Sequence, residues 1–134
     1  MNPLLRLLLG SGRLPDDLRS ELTAEGLVLL EEGLSGSITL RHYRAPGRRA
    51  NWKKQAVAGA IAVTRQRLVV WAGRGKNIDV PLTPLYRDVI EVTSEQPDQV
   101  CFAYDAGRFD PSRSGRIEVR LRTAGAPQVL QALS

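Results

Sequence analysis

"GAIAVTRQRLVVWAGRGKNIDVPL", residues 59–82, decides the fold. Its apolar residues come in short runs, and the runs are broken by polar tetrads. Turn signals about every ten residues predict strands joined by tight turns rather than alternating β and α units. "TRQR" (64–67) closes one hairpin. "GRGK" (73–76) closes the next, its glycines supplying positive φ. In the last run Ile78, Val80 and Leu82 face one way and Asp79 the other.

The strand leading into this stretch, "QAVAGAIAVT" (55–64), is unusual. One face carries Val57, Ile61 and Val63; the other carries Ala56, Ala58, Ala60 and Ala62. A strand apolar on both faces is covered on both. Small alanines admit a helix at close range, so an N- or C-terminal helix is expected over this strand. Helix signals stand at both ends. Pro15, Asp16 and Asp17 suit a first turn, Leu14, Leu18 and Leu22 form a stripe, and Gly26 can close the helix. At the other end "APQVLQALS" predicts a short helix with Val129, Leu130 and Leu133 on one side. Leu4, Leu5, Leu8 and Leu9 share a face of a further short helix, expected to dock on the domain; the alternative is contact with a membrane surface.

The remaining strands follow the same rule. "GLVLLEEG" and "SITLRHYR" read as a first pair, with "EGLSG" between them. "DVIEVT" and "QVCFAYD" come later. "GRIEVRLR" alternates most cleanly, Ile117, Val119 and Leu121 inward, Arg116, Glu118, Arg120 and Arg122 outward. The expected organisation is one domain over 1–134: a helical extension at 1–26, a β-barrel at 27–122 and a terminal helix at 125–134.

Within 59–82, Gly59, Thr64, Arg67, Leu68, Ile78, Val80, Pro81 and Leu82 stand where bacterial PH-like and GRAM-type domains commonly carry such residues, and the stretch resembles that superfamily. The resemblance implies a mainly β fold: a PH-like barrel of two nearly orthogonal antiparallel sheets, about seven strands, capped by a C-terminal helix. It marks a fold rather than an activity. The terminal helix here is shorter than the family's, and the N-terminal helical segment is extra.

Charge is distributed unevenly. The net charge is +5 over 134 residues. Residues 1–35 carry three basic and six acidic side chains, residues 36–78 ten basic and none acidic, and residues 79–134 six basic and eight acidic. All the excess lies in the middle third. The single cysteine excludes an internal disulfide framework and makes a reducing, cytoplasmic setting the default. No apolar run is long enough to span a bilayer.

Catalytic chemistry finds little purchase. His42 shares the parity of Ile38 and Leu40 and is expected to face the core, with no acid partner nearby. Cys101, between Val100 and Phe102, reads as an inert structural thiol. Asp105, Asp110, Ser112 and Ser114 lack calcium-loop spacing and read as Asx-turns. Glu31 and Glu32 alternate faces, which does not favour paired acid–base work. "GRGK" lacks the spacing of a phosphate loop. No catalytic residue, metal or cofactor is assigned, and the expectation is a protein that is not an enzyme.

The basic middle remains. Loops of a meander alternate between its two ends, so "RAPGRRANWKK" (44–54) and "GRGK" are expected at the same end. Arg44, Arg48, Arg49, Lys53, Lys54, Arg74 and Lys76 would then form an anion-binding rim, with Trp52 and Tyr43 beside it. The competing reading is a solubilising edge that protects exposed strands. A rim favours a non-catalytic binding module for an acidic protein partner. The alternative is anionic phospholipid headgroups, at the inner face of the membrane; the acidic "EEGLSG" connection weighs against the lipid site familiar between the first two strands of such domains. Nucleic acid ranks third, because aromatics are only 5% of the chain. A homo-oligomer is left open.

Overall fold

The computed structural model describes residues 12–73 and 75–134, the Arg87 side chain excepted. The helix expected around Leu4–Leu9, and Arg74, lie outside the described residues. The order is helix α1 (Asp16–Gly26), strands β1 (Leu27–Ala45), β2 (Arg48–Thr64), β3 (Arg67–Ala72) and β4 (Gly75–Pro81), helix α2 (Pro84–Val89), strands β5 (Ile90–Thr93), β6 (Gln99–Asp105) and β7 (Ser114–Arg122), and helix α3 (Ala126–Ala132). The strands form one curled antiparallel sheet, in the order β4-β3-β2-β1-β7-β6-β5. It is a half-barrel, unpaired between β4 and β5. A single sheet suffices where two were expected because β1 serves both halves. It pairs with β2 along its length and with β7 from Gly36 to Arg44.

The length of β1 is the first correction to the sequence reading. "EEGLSG" is not a turn between two strands; β1 runs straight through it for 19 residues. The β1/β2 register shifts between Glu31 and Leu34, and Gly33 takes φ 70°. That is a β-bulge, which absorbs one extra residue in one strand. Gly36 has another cause: a Cβ there would overlap the Arg120 carbonyl oxygen of β7. A second correction lies in the same strand. His42 has φ 50°, and the β1/β7 register shifts between Arg41 and Arg44. The shift reverses inward and outward, so His42 is exposed and Tyr43 enters the core. A third is "DVIEVT": its first two residues close α2, which Pro84 opens, and only Ile90–Thr93 is strand.

The two-faced strand is covered on both faces from Val57 to Val63, whereas Ala56, expected under the same cover, is exposed. The inner face of the sheet holds the main core: Val57, Ile61 and Val63 of β2 meet Phe102 of β6 and Val119 and Leu121 of β7. α3 packs Ala126 and Val129 into the core, joined by Leu133 just past its end. On the outer face Leu14 and Leu22, beside and within α1, sit on Ala60, Ala62 and Val69. Each leucine so buried contributes about 2 kcal/mol. Arg67 then ties α1 to the sheet. Its guanidinium meets Glu25 at 2.7 Å, Glu21 at 2.9 Å and Asp79 of β4 at 2.9 Å.

Chain direction sets which loops meet. β1 and β7 are antiparallel, Gly36 opposite Leu121 and Arg44 opposite Ser114. Strict meander alternation would make the first and seventh strands parallel. The connection through α2 resets the alternation, and it brings the β6/β7 loop to the same end as the β1/β2 hairpin.

Candidate functional site

Pro46 and Gly47 turn the β1/β2 hairpin, Gly47 with φ 71°. Its two strands stay paired as far as Ala45 and Arg48. β3 accompanies β2 only between Gly59 and Val63. Beyond that this arm of the hairpin leaves β2 as an edge strand, backed by β1 and, through it, by β7 as far as Arg44, and every residue from Asn51 to Ala56 is exposed.

Strand alternation then divides the cations. Cross-strand partners share a face. Lys53 lies opposite Leu40, Gln55 opposite Ile38, Lys54 opposite Thr39 and Trp52 opposite Arg41. Lys53 therefore turns inward with Leu40, while Lys54 and Trp52 turn outward. The inward side opens on a cavity of ≈ 220 Å³ at the barrel mouth. Ile38, Leu40, Ile117 and Tyr43 give it an apolar floor. Arg48, Lys53 and Arg113 stand around it, with the amides of Gln55 and Asn77. The Arg48 guanidinium carbon lies 6.0 Å from the Tyr43 ring centroid, at the outer reach of a cation–π contact. Lys54 lines a separate outer groove with Ser37, Ala56 and Arg122.

The expected rim is thus only partly assembled. Arg48 and Lys53 meet at the cavity, and Arg44 and Arg49 stand exposed directly opposite each other at the arm's tip. The β3/β4 turn is at the same end of the sheet but at another height. Gly73 N–H donates to the Ala58 carbonyl at 2.9 Å, about 33 Å along β2 from Arg48 (ten residues at ~3.3 Å). Lys76 is turned onto Asp79 at 2.8 Å. The curl of the sheet nevertheless brings Asn77 of β4 to the cavity that Arg48 lines. Trp52 is 60% exposed, and Tyr43 stands beside Arg48 as expected, though as a buried core residue rather than an exposed ring.

Neutralisation separates the arm from the rest of the sheet. On the outer face Arg41, Arg116 and Arg120 all reach Glu118, at 2.8, 3.1 and 3.4 Å. Arg116 also holds Glu91 at 2.8 Å, and Arg120 holds Glu95 at 3.2 Å. Burial alone would push the Glu118 carboxyl up; hydrogen bonds from Arg41 and Arg116, with Arg120 nearby, outweigh it and hold it at about 2. Among the described residues no carboxylate pairs with Arg44, Arg48, Arg49, Lys53 or Lys54.

Sequence reasoning missed Arg113, Asn77 and Gln55. Arg113 sits in the irregular stretch 105–115, and only the α2 crossover brings that loop to the arm. The acids of this loop are engaged locally. Asp105 accepts from Gly107 N–H at 2.7 Å, and Asp110 accepts from the Ser112 N–H and hydroxyl at 3.0 and 2.7 Å. Arg113 reaches Asp110 at 3.3 Å. Cys101 is buried, and burial pushes its thiol up, away from the thiolate a nucleophile needs.

No protein-family model matches this chain, and no curated protein or solved structure matches it. No helix among the described residues is long and apolar enough to cross a membrane.

Proposed function

We propose that this chain is a non-catalytic, PH-like binding module that engages an acidic protein partner through the β1/β2 arm. One observation carries the reading. Arg44, Arg48, Arg49, Lys53 and Lys54 stand along one hairpin with no carboxylate paired to them among the described residues, in a protein that places glutamates or aspartates against Arg41, Arg67, Arg116, Arg120 and Arg122. Unneutralised cations along one edge raise the local potential and steer an acidic surface toward it. The PH-like reading is supported by the seven-stranded half-barrel, by a first strand shared between its halves, and by a helix after β7 that seats on the core. A second reading, peripheral contact with anionic lipid headgroups, is favoured by Trp52, an exposed amphipathic ring between Arg49 and Lys53 on the same arm.

The test is one titration series: purified protein against a poly-glutamate peptide, phosphatidylserine-containing vesicles, phosphatidylcholine vesicles and single-stranded DNA, across salt. The expected outcome is salt-sensitive binding to the peptide. It is lost in Arg48→Glu/Arg49→Glu/Lys53→Glu and kept in Lys76→Glu, whose lysine belongs to Asp79. A triple variant that binds like the parent overturns the reading. Preference for the phosphatidylserine vesicles over the peptide replaces it with the lipid alternative.

A further inference from the structure

The arm offers more than charge. β2 has two backbone edges. One is paired with β1 from Arg48 to Thr64. Along the other, β3 covers only Gly59–Val63, and Gly73 N–H closes the row by donating to the Ala58 carbonyl. Among the described residues, no strand pairs with that second edge between Arg48 and Val57. Backbone groups alternate sides along a strand. Since the Ala58 carbonyl points to the β3 side, the N–H and C=O groups of Ala56, Lys54 and Trp52 point there too. The residues around them, Asn51 to Ala56, are exposed. The last strand of a sheet with a row of unpaired donors and acceptors is a template for another extended chain.

We infer that this free edge of β2 takes up an acidic, extended peptide segment of the partner as an added β-strand, continuing the sheet beyond β3. The inference rests on the acidic-partner reading and specifies how that partner is held. Backbone pairing supplies register and affinity, and side chains on the two faces supply selectivity. On the outer face the added strand meets Lys54 and Trp52. On the inner face it meets Lys53, whose side chain lines the ≈ 220 Å³ cavity with Arg48 and Arg113. That volume suits a single side chain more than a drug-sized ligand. A glutamate opposite Lys53 shares its face and is directed to the side where these cations gather. A glutamate one residue away falls on the face of Lys54. The preferred segment thus carries acids on consecutive residues, which serve both faces at once. Charge complementarity also selects the occupant against a second copy of this chain, whose own β2 edge carries the same cations.

The experiment uses the full chain and a synthetic peptide of Glu-Glu pairs separated by Val-Thr pairs, about eight residues long, the span of an ordinary strand. Two versions of the peptide are methylated on alternate backbone nitrogens, one on the odd positions and one on the even. Strand addition predicts that the parent peptide binds and that only one methylated set loses affinity, by about tenfold or more, because only one set of N–H groups faces β2. In amide hydrogen exchange, the Trp52, Lys54 and Ala56 N–H groups exchange fast in the free protein and slow on binding. Ala56→Pro removes one edge donor without touching the β1 ladder, since proline is tolerated on the solvent side of an edge strand. It weakens the peptide by about tenfold, with the spectrum of the free protein otherwise kept. Equal binding by both methylated sets, with amide exchange unchanged, overturns strand addition and leaves the acidic-partner reading standing on charge alone. No binding by the parent peptide at low salt overturns both. A peptide-displaceable dimer of the free protein overturns the choice of occupant.

Discussion

Glu118 is where the sheet's charge balance can be measured. Its side chain is 9% exposed and accepts from Arg41 at 2.8 Å and Arg116 at 3.1 Å, with Arg120 at 3.4 Å. Glu118→Gln keeps the volume and one acceptor and removes the charge. In the folded protein the carboxyl lies at about 2 rather than 4.5. At about 1.36 kcal/mol per pH unit, that difference corresponds to about 3 kcal/mol favouring the ionised, folded form. Because the folded value is depressed, the contribution is complete above pH ~4.5 and is lost as pH falls toward ~2. At pH 3 about 1 kcal/mol should remain. Urea denaturation of parent and variant at pH 7 and pH 3 measures the gap directly, and the other carboxylates, common to both proteins, largely cancel. The expected result is a parent more stable by about 3 kcal/mol at pH 7 and by about 1 at pH 3. A gap below about 0.5 kcal/mol at pH 7, within the range of ordinary surface substitutions, would refute the claim that Glu118 gathers the three arginines. So would a gap of the same size at both pH values.

Arg49→Glu converts the directly opposed Arg44/Arg49 pair into an attractive one. It should raise stability by a few tenths of a kcal/mol while weakening the poly-glutamate peptide, read by thermal denaturation and the same titration. Gly36→Val forces a Cβ into the Arg120 carbonyl and should cost about 2 kcal/mol or more in urea denaturation, whereas Gly33→Asn, at a bulge with open space around it, should cost less than about 1. Ala62→Leu places a large side chain under α1 and should cost about 1–3 kcal/mol, with exchange protection lost first in α1. Arg67→Met leaves Glu21 and Glu25 without their cation. It should destabilise by about 2 kcal/mol, and α1 amides should exchange faster than those of β6 and β7.

What was legible in the sequence follows from what local pattern can encode. The alanine face of β2 announced a covering helix because a strand apolar on both sides has no other stable arrangement. The leucine stripe at Leu14, Leu18 and Leu22 supplied that helix. "TRQR" marked its hairpin because β2 and β3 are both short-range partners there. The failures share one cause: a glycine or a polar residue has several structural uses that look alike locally. Gly33 and Gly36 read as a turn, yet one sits in a bulge and the other makes room for β7, a strand some eighty residues away. His42 read as inward until its positive φ reversed the parity and exchanged it for Tyr43. The rim was drawn from loop order, which places loops at an end of a sheet but not at a height along it. Lys76 therefore went to Asp79, and Arg113, carried over by the α2 crossover, took a place no neighbouring residue could announce.

The two readings of the basic arm, protected edge and docking edge, are less opposed than they look. An unpaired strand with mixed charges can complement a second copy of itself by inverting its direction. An edge carrying only cations cannot, because no antiparallel or parallel register sets Arg48, Arg49, Lys53 or Lys54 against an acid of the same edge. The absence of any acid from residues 36–78 therefore repels copies of this chain and, by the same Coulomb term, attracts an acidic segment. Simple protection would be met equally well by a proline or a short edge strand, and neither calls for setting Arg44 opposite Arg49 at a cost in stability. The arm retains that cost over a long unpaired edge of β2, which is what the proposed docking of an acidic strand, rather than solubility, would call for.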